Sequence, residues 1–203
     1  MRKPDAGFSA AALAAVLFDD LRLPPDAHFK VAYSGGLDSH VLLHALAALR
    51  ANYRFSLGAI HIDHGLQPVS AGWGRHCARV CTALDVPLAV ERIRVQGIAD
   101  EGLEAAARRA RYAALAAALE PDDILLIAHH CDDQAETVLL QALRGTGVKG
   151  RSAMGEARAA GGAVWLRPLL EESRATLMDY ARVAGLDWVE DESNELTAFD
   201  RNF

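Results

Sequence analysis

The chain has 203 residues, enough for one domain with a sizeable core. Hydrophobic residues make up 51% and charged residues 24%, which excludes a disordered chain. A net charge of −6 argues against a broad nucleic-acid surface, and no apolar run reaches the roughly 20 residues of a membrane span.

The opening Met1-Arg-Lys-Pro-Asp-Ala-Gly7 is not followed by the apolar core of a signal peptide. Residues 9–21 are rich in Ala and Leu but broken by Asp19 and Asp20, so they predict an amphipathic first helix. Phe29 to Tyr33 is a short apolar run suited to a buried strand. Ser34-Gly-Gly-Leu-Asp-Ser39 then makes a turn, and Val41, Leu42, Ala45 and Leu46 recur at helical spacing to give a helix over 38–50. The pattern repeats with strand 55–62, helix 71–85, strand 87–93 opening on Pro87, helix 103–119, strand 123–128 and helix 131–143. Strands that read as unbroken apolar runs and alternate with helices predict an α/β fold: a mostly parallel, twisted sheet covered by helices on both faces. Residues 145–162 are glycine-rich and basic and read as a mobile connection leaving the core. Cys77 and Cys81 are four apart and Cys131 is alone, which is neither a disulfide framework nor a C-x-x-C site. A reduced, cytoplasmic protein follows.

In such sheets ligands sit at the carboxyl ends of the strands. Three of these ends carry polar clusters, 34–39, 61–64 and 129–136. In the first, Gly35 and Gly36 can bring their amides close to an anion, and the helix behind them adds unpaired N–H groups and a positive dipole end. The Ser34 and Ser39 hydroxyls can donate to phosphate oxygens, whereas Asp38 would need Mg²⁺ in between. A plain turn with Ser39 as helix cap is the competing reading. In the second, His61 and Asp63 read as neighbours of a base and ribose, or as a capped loop. In the third, Asp132 or Asp133 can cap the helix that follows, while Asp133 and Glu136 share one helix face and call for Mg²⁺ or a substrate ammonium. A zinc site from His129, His130, Cys131 and Asp132 is disfavoured, because adjacent residues rarely converge on one metal. Glu104, Arg108, Arg111 and Tyr112 fall on one helix face and read as helix ion pairs. Between Gln141 and Leu169 five basic residues (Arg144, Lys149, Arg151, Arg158, Arg167) stand against the single acid Glu156. That stretch is compatible with an RNA ligand, and a solvated charged face is the competing reading.

Ser34-Gly-Gly-Leu-Asp-Ser39 resembles the SGGxDS loop of the N-type ATP pyrophosphatases, the PP-loop superfamily. It is neither a Walker sequence nor a GxGxxG fingerprint. Further blocks resemble one family within it, the tRNA(Ile)-lysidine synthetases: His61-Ile-Asp-His-Gly-Leu66, Glu104 with Ala107-Arg108 and Arg111-Tyr112, and Ala128-His-His-Cys-Asp-Asp-Gln-Ala-Glu-Thr137. The likeness continues through Arg144-Gly-Thr-Gly-Val-Lys-Gly150 with Met154, Arg167-Pro-Leu169, Glu190-Asp191, Ser193-Asn194 and Arg201-Asn202. The resemblance implies an adenine nucleotide alpha hydrolase-like fold and a ligase that uses ATP and Mg²⁺. It would adenylate O2 of the wobble cytidine of a tRNA(Ile) with a CAU anticodon, and L-lysine would then displace AMP.

On that resemblance Ser34, Gly35, Gly36, Leu37, Asp38 and Ser39, with His61, Asp63 and His129, bind ATP. Asp38 and Asp133 hold Mg²⁺, Asp133 or Glu136 orients the lysine, and Arg201 lies near the reacting groups. Arg144, Lys149 and Arg151 contact RNA, and a homodimer is left open. Gln67 departs from the family, which has a basic residue there. Family members continue beyond Arg201-Asn202 into tRNA-binding domains, so residues 1–203 read as a single catalytic domain cut from a longer chain. The alternatives are a 2-thiocytidine-type enzyme, which carries the C-x-x-C cysteines that this sequence lacks, an amidotransferase-linked member such as a GMP synthetase, which fails at the later blocks, and a nucleotide- or RNA-binding fragment without catalysis.

Overall fold

The structure is a computed structural model that describes residues 7–63, 70–97, 102–143, 157–160 and 163–190. Its centre is a largely buried strand. β1 (His28–Ala32) buries Phe29 and Val31 completely and pairs in parallel with β2 (Ser56–Asp63) on one side and β4 (Asp123–Leu126) on the other. β3 (Leu88–Arg92) extends the sheet beyond β2. β6 (Ala163–Leu166) lies beyond β4, and β5 (Ala157–Ala160) closes that edge antiparallel to β6. The order is β3-β2-β1-β4-β6-β5.

The helices cover this sheet because their apolar stripes need it. α2 (Leu37–Leu49) buries Val41, Leu42, Leu43 and Leu46 completely, in one cluster with α1 (Ala10–Ala14), α3 (Ser70–Ala83) and α6 (Arg174–Ala184). A second cluster joins Leu115 of α4 (Leu103–Ala117) to Ile60, Ile62, Leu125, Ile127 and Trp165. α5 (Cys131–Leu143) follows β4. Truncating a fully buried leucine such as Leu46 to alanine would cost about 2–5 kcal/mol.

The predicted alternation is present through α5, with ends displaced by a few residues. Three differences have local causes. The first helix is α-helical only from Ala10 to Ala14, capped by Ser9 Oγ on the Ala12 N–H at 3.1 Å, and is wound as a π-helix from Ala15 to Asp20. The basic stretch read as a connection leaving the core instead contributes β5, whose four residues pair back onto β6. β6 (Ala-Val-Trp-Leu) is too short to show a period, and α6 lies beyond the predicted elements although Ser173 caps it and Gly185 ends it in the left-handed region.

The register decides what meets at the carboxyl edge. Ala32 stands beside Ile60, Val31 beside Leu126, and Tyr33 N–H donates to Ile60 O at 2.9 Å. The carboxyl ends of β1, β2 and β4 therefore lie side by side.

Candidate functional site

The turn after β1 is closed by its own serines. Ser39 Oγ–H donates to Gly36 O at 3.1 Å and accepts the Ser34 N–H at 3.3 Å. The Ser34 hydroxyl lies 3.0 Å from Ser39 Oγ and accepts the Gly36 N–H at 3.3 Å. With the Ser39 proton committed to a carbonyl, the Ser34 proton goes to Ser39, and the ring holds the loop in shape. Each hydroxyl can still turn outward toward an anion. Gly35 has φ +89°, and a Cβ there would stand 3.0 Å from Cys77 Sγ. Glycine is required at this position. Gly36 precedes α2 with no side-chain cap, so the first amides of that helix are available to a ligand.

Beside the loop lies a cavity of about 270 Å³, lined by Tyr33, Ser34 and Gly36, by Ile60, His61 and Ile62 of β2, and by Trp73, Arg111 and Val189 among others. His61 is buried, and its Nδ1 lies 2.9 Å from the Tyr33 carbonyl, which can only accept. Nδ1 therefore carries the proton. Burial, aided by the Arg108 charge, presses the Arg111 guanidinium below its ordinary pKa, while Tyr112 opposes the shift.

The turn after β4 is acidic around one imidazole. His130 Nε2 lies 3.6 Å from Asp38 Oδ2 and 3.6 Å from Asp133 Oδ2, and its Nδ1 lies 3.4 Å from Asp132 Oδ2. Burial works against the imidazolium, but contact with Asp38 and the charges of Asp133, Asp38 and Asp132 outweigh it and raise the pKa. Asp133 Oδ2 also accepts the His130 N–H at 2.9 Å, the return half of a capping box at the start of α5. Burial raises the Asp133 pKa, the His130 contacts oppose this, and the charges of Asp38 and Glu136 raise it further. Asp132 accepts the Arg174 N–H at 2.8 Å instead and so caps α6.

The fit to Mg²⁺ rests on Asp38. Its Oδ1 is buried and has no hydrogen-bond partner among the described residues. Among those residues no cluster of three or more His, Cys, Asp or Glu side chains is arranged to hold a metal. One or two carboxylates supplemented by water and phosphate oxygens is the usual Mg²⁺ arrangement, so Asp38 with Asp133 fits. Of the disfavoured zinc set, Cys131 Sγ lies 3.6 Å from Asp132 Oδ2, while His129 is turned to Arg167.

His129, predicted to touch ATP, accepts Arg167 Nε–H on Nδ1 at 3.0 Å. Burial, then the charges of Arg167, Arg111 and Arg108, bring its pKa down to about 3, so the ring is neutral near pH 7. Asp63 lies 3.6 Å from Arg92, a partner at the end of the neighbouring strand. Glu136 is exposed on α5. The side chain of Glu104 and all of Arg144, Lys149, Arg151 and Arg201 lie outside the described residues.

Sequence reasoning missed Arg111, Trp73 and Val189 as cavity walls. The helix face assigned to ion pairs is divided. Arg108 stays on its helix, donating to Tyr112 OH at 3.3 Å over the ring, and Tyr112 stacks on Trp165 at 5.2 Å, while Arg111 turns into the cavity. Only a consistent helical wheel against β2 could have separated the two arginines.

Residues 10–203 match the family model of the PP-loop domain. Two curated relatives, both named tRNA(Ile)-lysidine synthase, are 51% identical. That from Pseudomonas fluorescens aligns over 87% of this chain and 40% of its own length, and that from Alkalilimnicola ehrlichii over 89% and 41%. The chain thus spans about two-fifths of the relatives it matches. Among solved structures, the U34-tRNA thiolase NcsA from Methanococcus maripaludis superposes with a TM-score of 0.70 at 16% identity, covering 89% of this chain and 64% of that one. The NAD⁺ synthetase of Burkholderia pseudomallei gives 0.51 at 18% identity, covering 89% and 69%. These likenesses show the fold: a mostly parallel sheet of the adenine nucleotide alpha hydrolase kind. No helix among the described residues is long and apolar enough to cross a membrane.

Proposed function

This chain belongs to the PP-loop domain family, and from that premise we propose that it is the ATP-using part of a tRNA(Ile)-lysidine synthase acting in the cytoplasm. The observation that carries the reading is the meeting of two half-sites: a serine-glycine anion loop, and the carboxylates of Asp38 and Asp133 gathered at His130 beside it. Adenylation needs both, because the polyphosphate and its counter-cation must be held while a base oxygen approaches.

In the proposed reaction O2 of the wobble cytidine of a CAU-anticodon tRNA(Ile) attacks the α-phosphorus. The bond to the bridging oxygen breaks, and pyrophosphate leaves with the electron pair. The ε-amine of L-lysine then attacks C2, the C2–O2 bond breaks, and AMP departs with that oxygen. Ser34, Gly35, Gly36, Leu37, Asp38 and Ser39 hold the phosphates, with His61 and Arg111 lining the adjoining cavity. Asp38 and Asp133 would hold Mg²⁺, which supplies charge neutralisation for the leaving pyrophosphate. Asp133 or Glu136 orients the lysine ammonium and takes up its proton. Arg201 would act near the reacting groups, and Arg144, Lys149 and Arg151 would contact the RNA backbone, a salt-sensitive role that rests on the family resemblance alone.

The test is incubation of the purified chain, and of the gene-length protein, with ATP, Mg²⁺, labelled lysine and the CAU tRNA. AMP and RNA-bound label appearing together, each dependent on the tRNA, are expected. AMP without label would point to another nucleophile, and neither product from the gene-length protein would overturn the reading.

A further inference from the structure

The segment after α6 runs back onto the anion loop. Gly185, at φ 63°, ends the helix, and Leu186 and Trp188 pack against the core cluster that holds α2. The segment is then tied at two points. The Asp187 backbone lies against the His40 ring, and the Val189 N–H donates to Gly35 O at 3.0 Å. Val189 also lines the cavity, and its carbonyl oxygen lies 3.9 Å from where a Cβ on Gly36 would stand.

The second tie has a consequence through the planarity of the peptide bond. In the trans Gly35–Gly36 peptide the carbonyl and the following N–H point to opposite sides. Holding Gly35 O on Val189 turns the Gly36 N–H the other way, onto Ser34 Oγ and into the serine ring. A Gly-Gly peptide has little side-chain bulk to resist rotation, so without this tie its orientation would be weakly fixed. On the reading of this loop as a polyphosphate site, we infer that Val189 is a positioning residue. Its backbone N–H keeps the Gly36 amide on Ser34 Oγ and so holds the loop in the shape that receives the phosphates. The residue acts through its backbone, so side-chain identity does not reveal it.

The experiment measures affinities for ATP, inorganic pyrophosphate and adenosine in the whole chain, for wild type, V189A and V189P. V189A keeps the donor and controls for the cavity wall; V189P removes the donor. V189P is expected to lose pyrophosphate and ATP affinity about five-fold beyond V189A, with adenosine affinity equal in the two variants. A merely structural role would weaken adenosine as much as pyrophosphate. Amide hydrogen exchange on the wild type decides the matter if V189P does not fold, because the Val189 amide should exchange more slowly when pyrophosphate is bound. Equal pyrophosphate affinity in V189P and V189A, or a Val189 amide indifferent to pyrophosphate, would overturn the inference alone. A wild type that binds neither ATP nor pyrophosphate would overturn the phosphate-loop reading and the inference together.

Discussion

The two turns that meet at the carboxyl edge are built in opposite ways. After β1, both serine hydroxyls, the Ser34 and Gly36 amides and the Gly36 carbonyl find partners within the loop. After β4, His130 is crowded at 3.4–3.6 Å, beyond good hydrogen-bond length, by Asp132 and Asp133 of its own turn and by Asp38, which reaches across from the first turn of α2 and leaves a buried oxygen without a partner among the described residues. The first turn is preorganised by neutral hydrogen bonds. The second holds excess negative charge that a cation would relieve. An adenylating site gains from this division, because the anion cradle keeps its shape without ligand while the metal side stays unfinished until nucleotide brings its own oxygens.

The contrast is broken most sharply at Asp38. Asp38→Asn keeps the shape of the side chain and removes the charge on which the metal reading depends. We expect AMP formation to fall about 100- to 1,000-fold with little change in thermal stability. Near-normal turnover would show that the Asp38 carboxylate has no part in the chemistry. Asp133→Asn should also lose activity, but its amide oxygen can still accept the His130 N–H. Asp133→Ala loses that cap as well, at about 1 kcal/mol in urea melts.

The anion loop responds differently, through backbone shape. Gly35→Ala places a Cβ at φ +89° and 3.0 Å from Cys77 Sγ. The conformational part costs about 1–2 kcal/mol, and the contact adds to it. Adding Cys77→Ala should recover the contact and leave the conformational part, giving a favourable coupling in a double-mutant cycle read by urea unfolding. Strict additivity would show that the loop yields more than the geometry implies.

These two turns also mark how far the sequence could be read. The first is six contiguous residues whose chemistry needs no knowledge of the rest of the fold, so its geometry was legible. The acidic turn was legible as composition, but not as a division of labour. Asp132 caps α6, an element outside the predicted set, and Asp133 caps its own helix, so which carboxylate remained for a cation depended on tertiary contacts. Arg111 was hidden for a similar reason. Its spacing to Arg108 fits a helix surface equally well, and only packing of α4 on β2 turns one arginine inward. Val189 was hidden more deeply, since it acts through a backbone N–H that every non-proline residue carries.

Arg111 supplies an intermediate test. Arg111→Lys keeps a positive charge but not the planar fork, and Arg111→Ala removes both. If the arginine serves the nucleotide, both should raise the KM for ATP, alanine more than lysine, by roughly ten-fold for the loss of a charged hydrogen bond. Equal KM values would return Arg111 to the helix-surface reading.

A pH-dependent test separates the basic neighbourhood of His129 from the acidic one of His130. Burial and the Arg167, Arg111 and Arg108 charges depress the His129 pKa to about 3 in the folded chain, against 6.5 for the free side chain. Between those values the unfolded chain binds a proton that the folded one refuses. Stability therefore rises with pH across this window and is lost as pH falls, by at most about 1.4 kcal/mol per unit. The raised pKa of Asp133 works in the opposite sense, so a single acid titration would mix the two. Comparison with His129→Gln isolates the histidine, because the amide oxygen can still accept from Arg167 Nε. In urea melts at pH 4.5, 5.5 and 7.5 the variant should gain on the wild type with each step toward acid and show no further relative change above about pH 6.5. A gap that stays constant over the series would mean that His129 takes its proton as readily folded as unfolded, and that the three arginines do not surround it as the geometry indicates.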